Sequence, residues 1–138
     1  MNLDITYMDF ALKMALNSKA IRAKVGAVLV TKHGVVLTGY NGTPSGTDNS
    51  CEMFDSNGNY VTKPEVLHAE LNCIMKAARE GVSCIDATVY VTLSPCVQCA
   101  AMMKQVGIKR VVYLMEYRDN TGIEYLKNNG VKIERQYL

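Results

Sequence analysis

Apolar positions recur at helical spacing early in the chain: Ile5, Met8, Leu12, Ala15 and Leu16 share one face of a helix expected over Ile5–Asn17. A short connection, Ala20–Lys24, follows it. Val25–Thr31 and Gly34–Tyr40 are β-rich runs joined by Lys32-His33, a spacing that predicts an antiparallel hairpin. From Asn41 to Lys63 the chain turns to Gly, Ser, Thr, Asn and Asp, too long for an ordinary connector and expected to be a functional loop. Pro64 is expected to open a helix to Glu80, with Leu67, Leu71, Ile74, Met75 and Ala78 inward and Gly81 ending it. Ala87–Thr92 reads as a buried strand. Ser94-Pro95 supplies an N-cap and first-turn proline for a helix through Gln105, stopped at Gly107, and Val111–Leu114 forms the next strand. Thr121–Asn129, closed by Gly130, separates that strand from a last one over Val131–Tyr137. A helical crossover makes these last two strands parallel. The expected fold is a three-layer α/β/α unit with a five-stranded mixed sheet and helices on both faces.

Composition narrows the class. The 138 residues suit one domain spanning 1–138, and 49% hydrophobic with 20% charged residues is a globular balance. Fifteen basic against thirteen acidic residues leave a net charge of +2, which argues against a stable nucleic-acid partner. No apolar run reaches the ~18–20 residues of a membrane helix, and the Met1-Asn2-Leu3-Asp4 start lacks a signal-peptide layout. No membrane association is therefore expected, and cytoplasmic residence is, in the host if the chain is virus-encoded. Five cysteines, at 51, 73, 84, 96 and 99, are an odd count in a chain with core enough to dispense with disulfides.

Chemistry concentrates in two short stretches. His68-Ala69-Glu70 and Pro95-Cys96-Val97-Gln98-Cys99 offer one imidazole, two thiols and a spare carboxylate near the starts of two expected helices. His68, Cys96 and Cys99 make three nitrogen and sulfur donors suited to zinc, with a fourth tetrahedral position left for water. Glu70, two residues after the imidazole, is placed to shuttle protons without coordinating the metal. Alone, Cys96 and Cys99 would equally suit a structural zinc clip or a redox pair. Together the residues fill the H-x-E…P-C-x-x-C pattern of zinc deaminases. His33 is expected to be solvated in its turn, and Cys51, Cys73 and Cys84 to hold no metal.

The chain resembles the cytidine/deoxycytidylate deaminase superfamily and, within it, the deoxycytidylate deaminases. Beyond the zinc pattern, the likeness is carried by Arg22-Ala23-Lys24-Val25-Gly26-Ala27-Val28, Gly39-Tyr40-Asn41-Gly42-Thr43-Pro44-Ser45-Gly46, His68-Ala69-Glu70-Leu71-Asn72, Tyr113 and Tyr117-Arg118-Asp119. It implies hydrolysis of dCMP to dUMP and ammonia, supplying dUMP for thymidylate synthesis, with one catalytic Zn2+ per chain and Glu70 as the catalytic residue. It also implies substrate contacts at Arg22, Ala27, Asn41, Tyr117 and Arg118. A homo-hexamer is implied, activated by dCTP and inhibited by dTTP, with effector contacts at Asn41, Gly42, Gly46, Asn49, Glu65 and Asn72 and room for Mg2+ beside the effector. Some relatives carry a second, structural zinc; here Asn41–Leu67 contains Cys51 and no histidine, so one metal is expected. Two other readings stay open: a zinc deaminase for tRNA adenosine, guanine or cytidine, and a non-catalytic zinc module that binds a nucleotide.

Overall fold

The computed structural model describes residues 3–137. The elements run α1 (Asp4–Ala15), β1 (Gly26–Val30), β2 (Val36–Tyr40), β3 (Glu52–Phe54), β4 (Tyr60–Thr62), α2 (Ala69–Glu80), β5 (Thr88–Leu93), α3 (Val97–Val106), β6 (Arg110–Met115), α4 (Thr121–Asn128) and β7 (Lys132–Arg135). The main sheet has the order β2-β1-β5-β6-β7. β1 pairs antiparallel with β2 and β5, whereas β6 runs parallel to both β5 and β7. This is the mixed sheet expected from the helical crossovers, with its last two strands parallel.

Strand alternation sorts the core into two layers. Ala27, Leu29, Val89, Val91, Val111 and Tyr113 point to the face covered by α2, α3 and α4. Val28, Tyr90 and Val112 point the other way, against Met8 and Ala11 of α1. α1 is also fastened by charge. Arg110 of β6 donates to both carboxylate oxygens of Asp4 at 2.6 and 2.9 Å, and its Nε donates to Glu134 at 2.7 Å. The Tyr90 hydroxyl donates to Asp4 at 2.6 Å.

Three sequence expectations need correction. α1 turns Met8, Ala11 and Ala15 inward, while Ile5 and Leu16 are exposed and Leu12 is half-buried. The reason is distance: a Cβ on Gly26 would collide with the Ala11 carbonyl oxygen, so helix and strand backbones nearly touch and only small side chains fit between them. Similarly, α2 begins at Ala69, five residues after Pro64, and buries Ala69, Glu70, Cys73, Ile74 and Ala77, with Met75 and Ala78 exposed. The backbones of Gly42 and Leu67 exchange hydrogen bonds at 3.1 and 2.8 Å, which keeps the segment before His68 extended. Finally, the long polar loop contains the β3–β4 hairpin, closed by an Asp55 carboxylate that accepts from Asn57 and Asn59 N–H groups, each at 2.9 Å. A three-residue strand is too short to show an alternation.

Candidate active site

Two helix N-termini meet beside the end of β5. His68 is the N-cap of α2, held in extended conformation at φ −70°, ψ 155°, and Cys96 is the N-cap of α3 at φ −71°, ψ 168°. The α3 cap is the Cys96 sulfur, which accepts from the Cys99 N–H at 3.5 Å; Ser94, the expected cap, instead accepts at 2.8 Å from the Tyr117 N–H. Cys99 lies one turn into α3. Its Sγ is 3.2 Å from His68 Nδ1, and Cys96 Sγ is 3.6 Å from the same nitrogen. All three donor atoms fall within 4.8 Å of one another. Zinc bonds of ~2.0–2.3 Å in a tetrahedron put neighbouring N and S donors ~3.5–3.8 Å apart, so this donor set fits zinc in both chemistry and spacing.

In the metal-free chain Cys96 alone of the three donors is electrostatically prepared for ligation. Hydrogen bonds from Cys99 and His68 push the Cys96 thiol down to about 4, towards the thiolate a metal requires. The His68 imidazole is raised, first by its bond to Cys96. Cys99 is raised by its hydrogen bond to Cys96 and by burial, so in the metal-free chain it keeps its own proton, which metal binding must release. Glu70, in the first turn of α2, is 4% exposed, and burial pushes its carboxyl up to about 7.

A cavity of about 380 Å³ opens over these groups and is lined by His68, Glu70 and Cys96 together with Arg22, Asn41, Tyr117 and Arg118. Four of the expected substrate contacts thus converge on one space. Ala27 does not: it is a fully buried residue of β1, packed in the core with α2, and is absent from the lining. The close approach beside it at Gly26 is made by the α1 backbone. Asn41 reaches the cavity with its amide already at work, accepting from Val25 N–H and donating to Ala23 O, each at 2.8 Å. It still has one lone pair and one N–H to offer.

Of the expected effector contacts, Asn41, Gly42 and Asn49 line a second cavity of about 170 Å³ with Asn17, Lys19 and Tyr40. Gly46, Glu65 and Asn72 lie outside it. Asn72 is a structural tie, donating to Tyr40 O at 2.7 Å, and Gly46 takes the left-handed conformation of a turn at φ 83°. Two contributors escaped sequence reasoning. Glu52, in the polar insert, lines the main cavity, and no local pattern marks it. Gly122 lets α4 press against the Pro95–Cys96 backbone; a glycine inside a helical run was its only signal.

The family model for the cytidine and deoxycytidylate deaminase zinc-binding region matches residues 1–115. The chain belongs to this deaminase family. A deoxycytidylate deaminase of Enterobacteria phage T4 is 32% identical over 167 residues, covering 93% of this chain and 86% of that one. A deoxycytidylate deaminase of Schizosaccharomyces pombe is 36% identical over 143 residues; the match covers 98% of this chain and 44% of that longer relative. Among solved structures, the dCMP deaminase of cyanophage S-TIM5 in complex with dCMP and dUMP superposes with a TM-score of 0.88 at 40% identity, covering 99% of both chains. A tRNA:A34 deaminase, at 23% identity and a TM-score of 0.66, shares the fold.

Proposed function

We propose that this protein hydrolyses dCMP to dUMP and ammonia, and so supplies dUMP for thymidylate synthesis. The observation that carries the reading is one cavity whose lining combines two kinds of chemistry: His68, Cys96 and buried Glu70, with Cys99 completing the metal-donor set behind them, and the two guanidinium groups of Arg22 and Arg118. The naming of the phage relatives as deoxycytidylate deaminases supports the same substrate.

His68, Cys96 and Cys99 would hold zinc, which when bound supplies the Lewis acidity that makes water nucleophilic near neutral pH. Glu70 is the residue that moves protons. Its carboxylate takes a proton from the attacking water and gives it to ring N3 while oxygen adds to C4. It then takes the second proton from the new C4 hydroxyl and delivers it to the exocyclic nitrogen, which leaves as ammonia as the C4 carbonyl forms. Atoms balance: water and dCMP enter, dUMP and ammonia leave. Glu70 suits the task because α2 carries it into a pocket from which bulk water, a competing proton source, is largely excluded. Arg22 and Arg118 would clamp the 5′-phosphate, Tyr117 would close over it from the same loop, and Asn41 would bond the sugar or phosphate with its spare donor or acceptor.

Regulation and assembly belong to the same proposal. The smaller cavity, with Lys19, Asn41, Gly42 and Asn49, has the polar lining an effector nucleotide needs, dCTP as activator and dTTP as inhibitor, with Mg2+ beside the phosphates. Exposed Phe10, Leu16 and Ile21 are apolar surface that a homo-hexamer would cover. No helix among the described residues is long and apolar enough to cross a membrane, and residence in the cytoplasm is the setting we infer.

The deciding experiment compares dCMP with deoxycytidine on the wild type, Arg22→Ala and Arg118→Ala. The expected result is that deoxycytidine is a very poor substrate and that both variants lose dCMP turnover far more than residual deoxycytidine turnover. Equal losses on both substrates, or preferential turnover of cytidine or tRNA adenosine, would refute the substrate assignment.

A further inference from the structure

Among the described residues two charged side chains are buried, Glu70 and Glu52, at 4% and 7% exposure, and both line the same cavity. Glu70 has its role at the reacting end. Glu52 lies apart from the metal-ligating cluster, at the first position of β3, in the hairpin that interrupts the polar insert. A buried carboxylate is costly unless hydrogen bonds satisfy it, so its partners indicate what it is there to hold.

Those partners are consecutive. Glu52 Oε2 accepts from the Ile21 N–H at 2.9 Å and from the Arg22 N–H at 3.2 Å. Among the described residues, other side-chain hydrogen bonds hold the segment between α1 and β1 on either side of this point. Upstream, Ser18 Oγ donates to Asn41 O at 2.8 Å and accepts from Ala20 N–H at 3.2 Å. Downstream, the Asn41 amide holds Ala23 and Val25. Glu52 is the side chain that holds the backbone of Arg22 itself. No fully buried side-chain nitrogen or oxygen among the described residues lacks a partner, and Glu52 itself lines the cavity.

We propose that Glu52 is a positioning residue, whose carboxylate fixes the backbone at Arg22 and thereby aims the guanidinium at the substrate's 5′-phosphate. The inference rests on the reading of Arg22 as a phosphate contact. The polar insert then has a mechanical purpose: the β3–β4 hairpin is the platform that carries Glu52 to the Ile21–Arg22 backbone. Glu52 acts through hydrogen-bond acceptance at one fixed reach, which separates it from a residue that merely contributes charge.

The test uses that distinction. Glu52→Gln keeps an acceptor oxygen at the same reach without the charge, whereas Glu52→Asp keeps the charge and withdraws the oxygens by about one carbon–carbon bond. Steady-state kinetics on dCMP and deoxycytidine should show Glu52→Gln within about threefold of wild type. Glu52→Asp should raise KM for dCMP roughly tenfold or more, with kcat and deoxycytidine turnover little changed. In an Arg22→Ala background, Glu52→Asp should add less than about twofold, because its effect passes through the missing side chain. An impaired Gln variant beside a normal Asp variant would overturn the proposal in favour of charge; full additivity with Arg22→Ala would overturn it in favour of general support of the fold. If Arg22→Ala alone leaves KM for dCMP unchanged, the phosphate reading fails; if it raises KM while Glu52→Asp does not, only this inference fails.

Discussion

Gly122→Ala tests how the zinc ligands are held in place. Gly122 lies in the first turn of α4, and a methyl group there would overlap the Pro95 carbonyl oxygen and stand 2.8 Å from the Cys96 carbonyl carbon and 2.9 Å from its oxygen. Carbon atoms settle at ~3.5–4.0 Å, and the obstacles are backbone, so α4 and the Pro95–Cys96 segment must part by about 1 Å. Metal sites tolerate ligand displacements of only ~0.2 Å, and Cys96 Sγ already lies 3.6 Å from His68 Nδ1, close to the tetrahedral separation. The expected outcome is a ~10–100-fold loss of zinc affinity, as when a ligand's supporting groups are removed, with ~1–3 kcal/mol of stability lost to overpacking. Competition with a chromophoric chelator measures the first and chemical denaturation of the metal-free chain the second. Gly26→Ala is the control. Its methyl would strike the Ala11 carbonyl oxygen of α1 across the sheet from α2, α3 and α4, so it should cost comparable stability and leave zinc affinity within about threefold. Unchanged affinity in Gly122→Ala, or equal affinity losses in both variants, would refute the idea that α4 sets the Cys96 position.

Glu70→Gln should keep zinc and nucleotide binding while turnover falls ~10²–10⁴-fold, measured by uracil absorbance beside metal content; near-normal turnover would remove Glu70 from the proton path. Metal analysis should find one zinc per chain, lost in His68→Ala, Cys96→Ala and Cys99→Ala and kept in Cys51→Ala, Cys73→Ala and Cys84→Ala. Hydrogen bonding to Arg110 holds the Asp4 and Glu134 carboxyls below their usual values, so their contribution to stability is full above the unfolded carboxylate range and is lost as pH falls through the lowered folded values. Denaturation of wild type and Asp4→Asn should differ by ~1–3 kcal/mol at pH 7 and converge as pH falls below the unfolded carboxylate range and through the lowered folded values; a pH-independent difference would mean that packing, and not charge, fastens α1.

The sequence alone determined the alternation of helices and strands, the hairpin, the parallel ending of the sheet and the zinc chemistry, because each of these is written in short-range spacing. Periodicity marks elements; a helix between two strands forces a crossover; His68, Glu70, Cys96 and Cys99 stand two or three residues apart within their stretches, so local geometry keeps each pair together in any fold. The inward faces of α1 and α2 were legible only in part, at Met8, Ala15 and Ile74, because hydrophobicity marks a face whereas the decisive quantity is the distance between backbones. Close approach at Gly26 and Gly39 selects Ala11, Ala15 and Ala69 for the interior and leaves Ile5, Leu16 and Met75 at the margin. Only the tertiary structure brought Glu52 to Arg22, 30 residues away in sequence, and seated Gly122 on Cys96. A side chain that accepts from a distant backbone, or a glycine that makes room for one, leaves no periodic trace in its own segment; its partner exists only once the chain has folded.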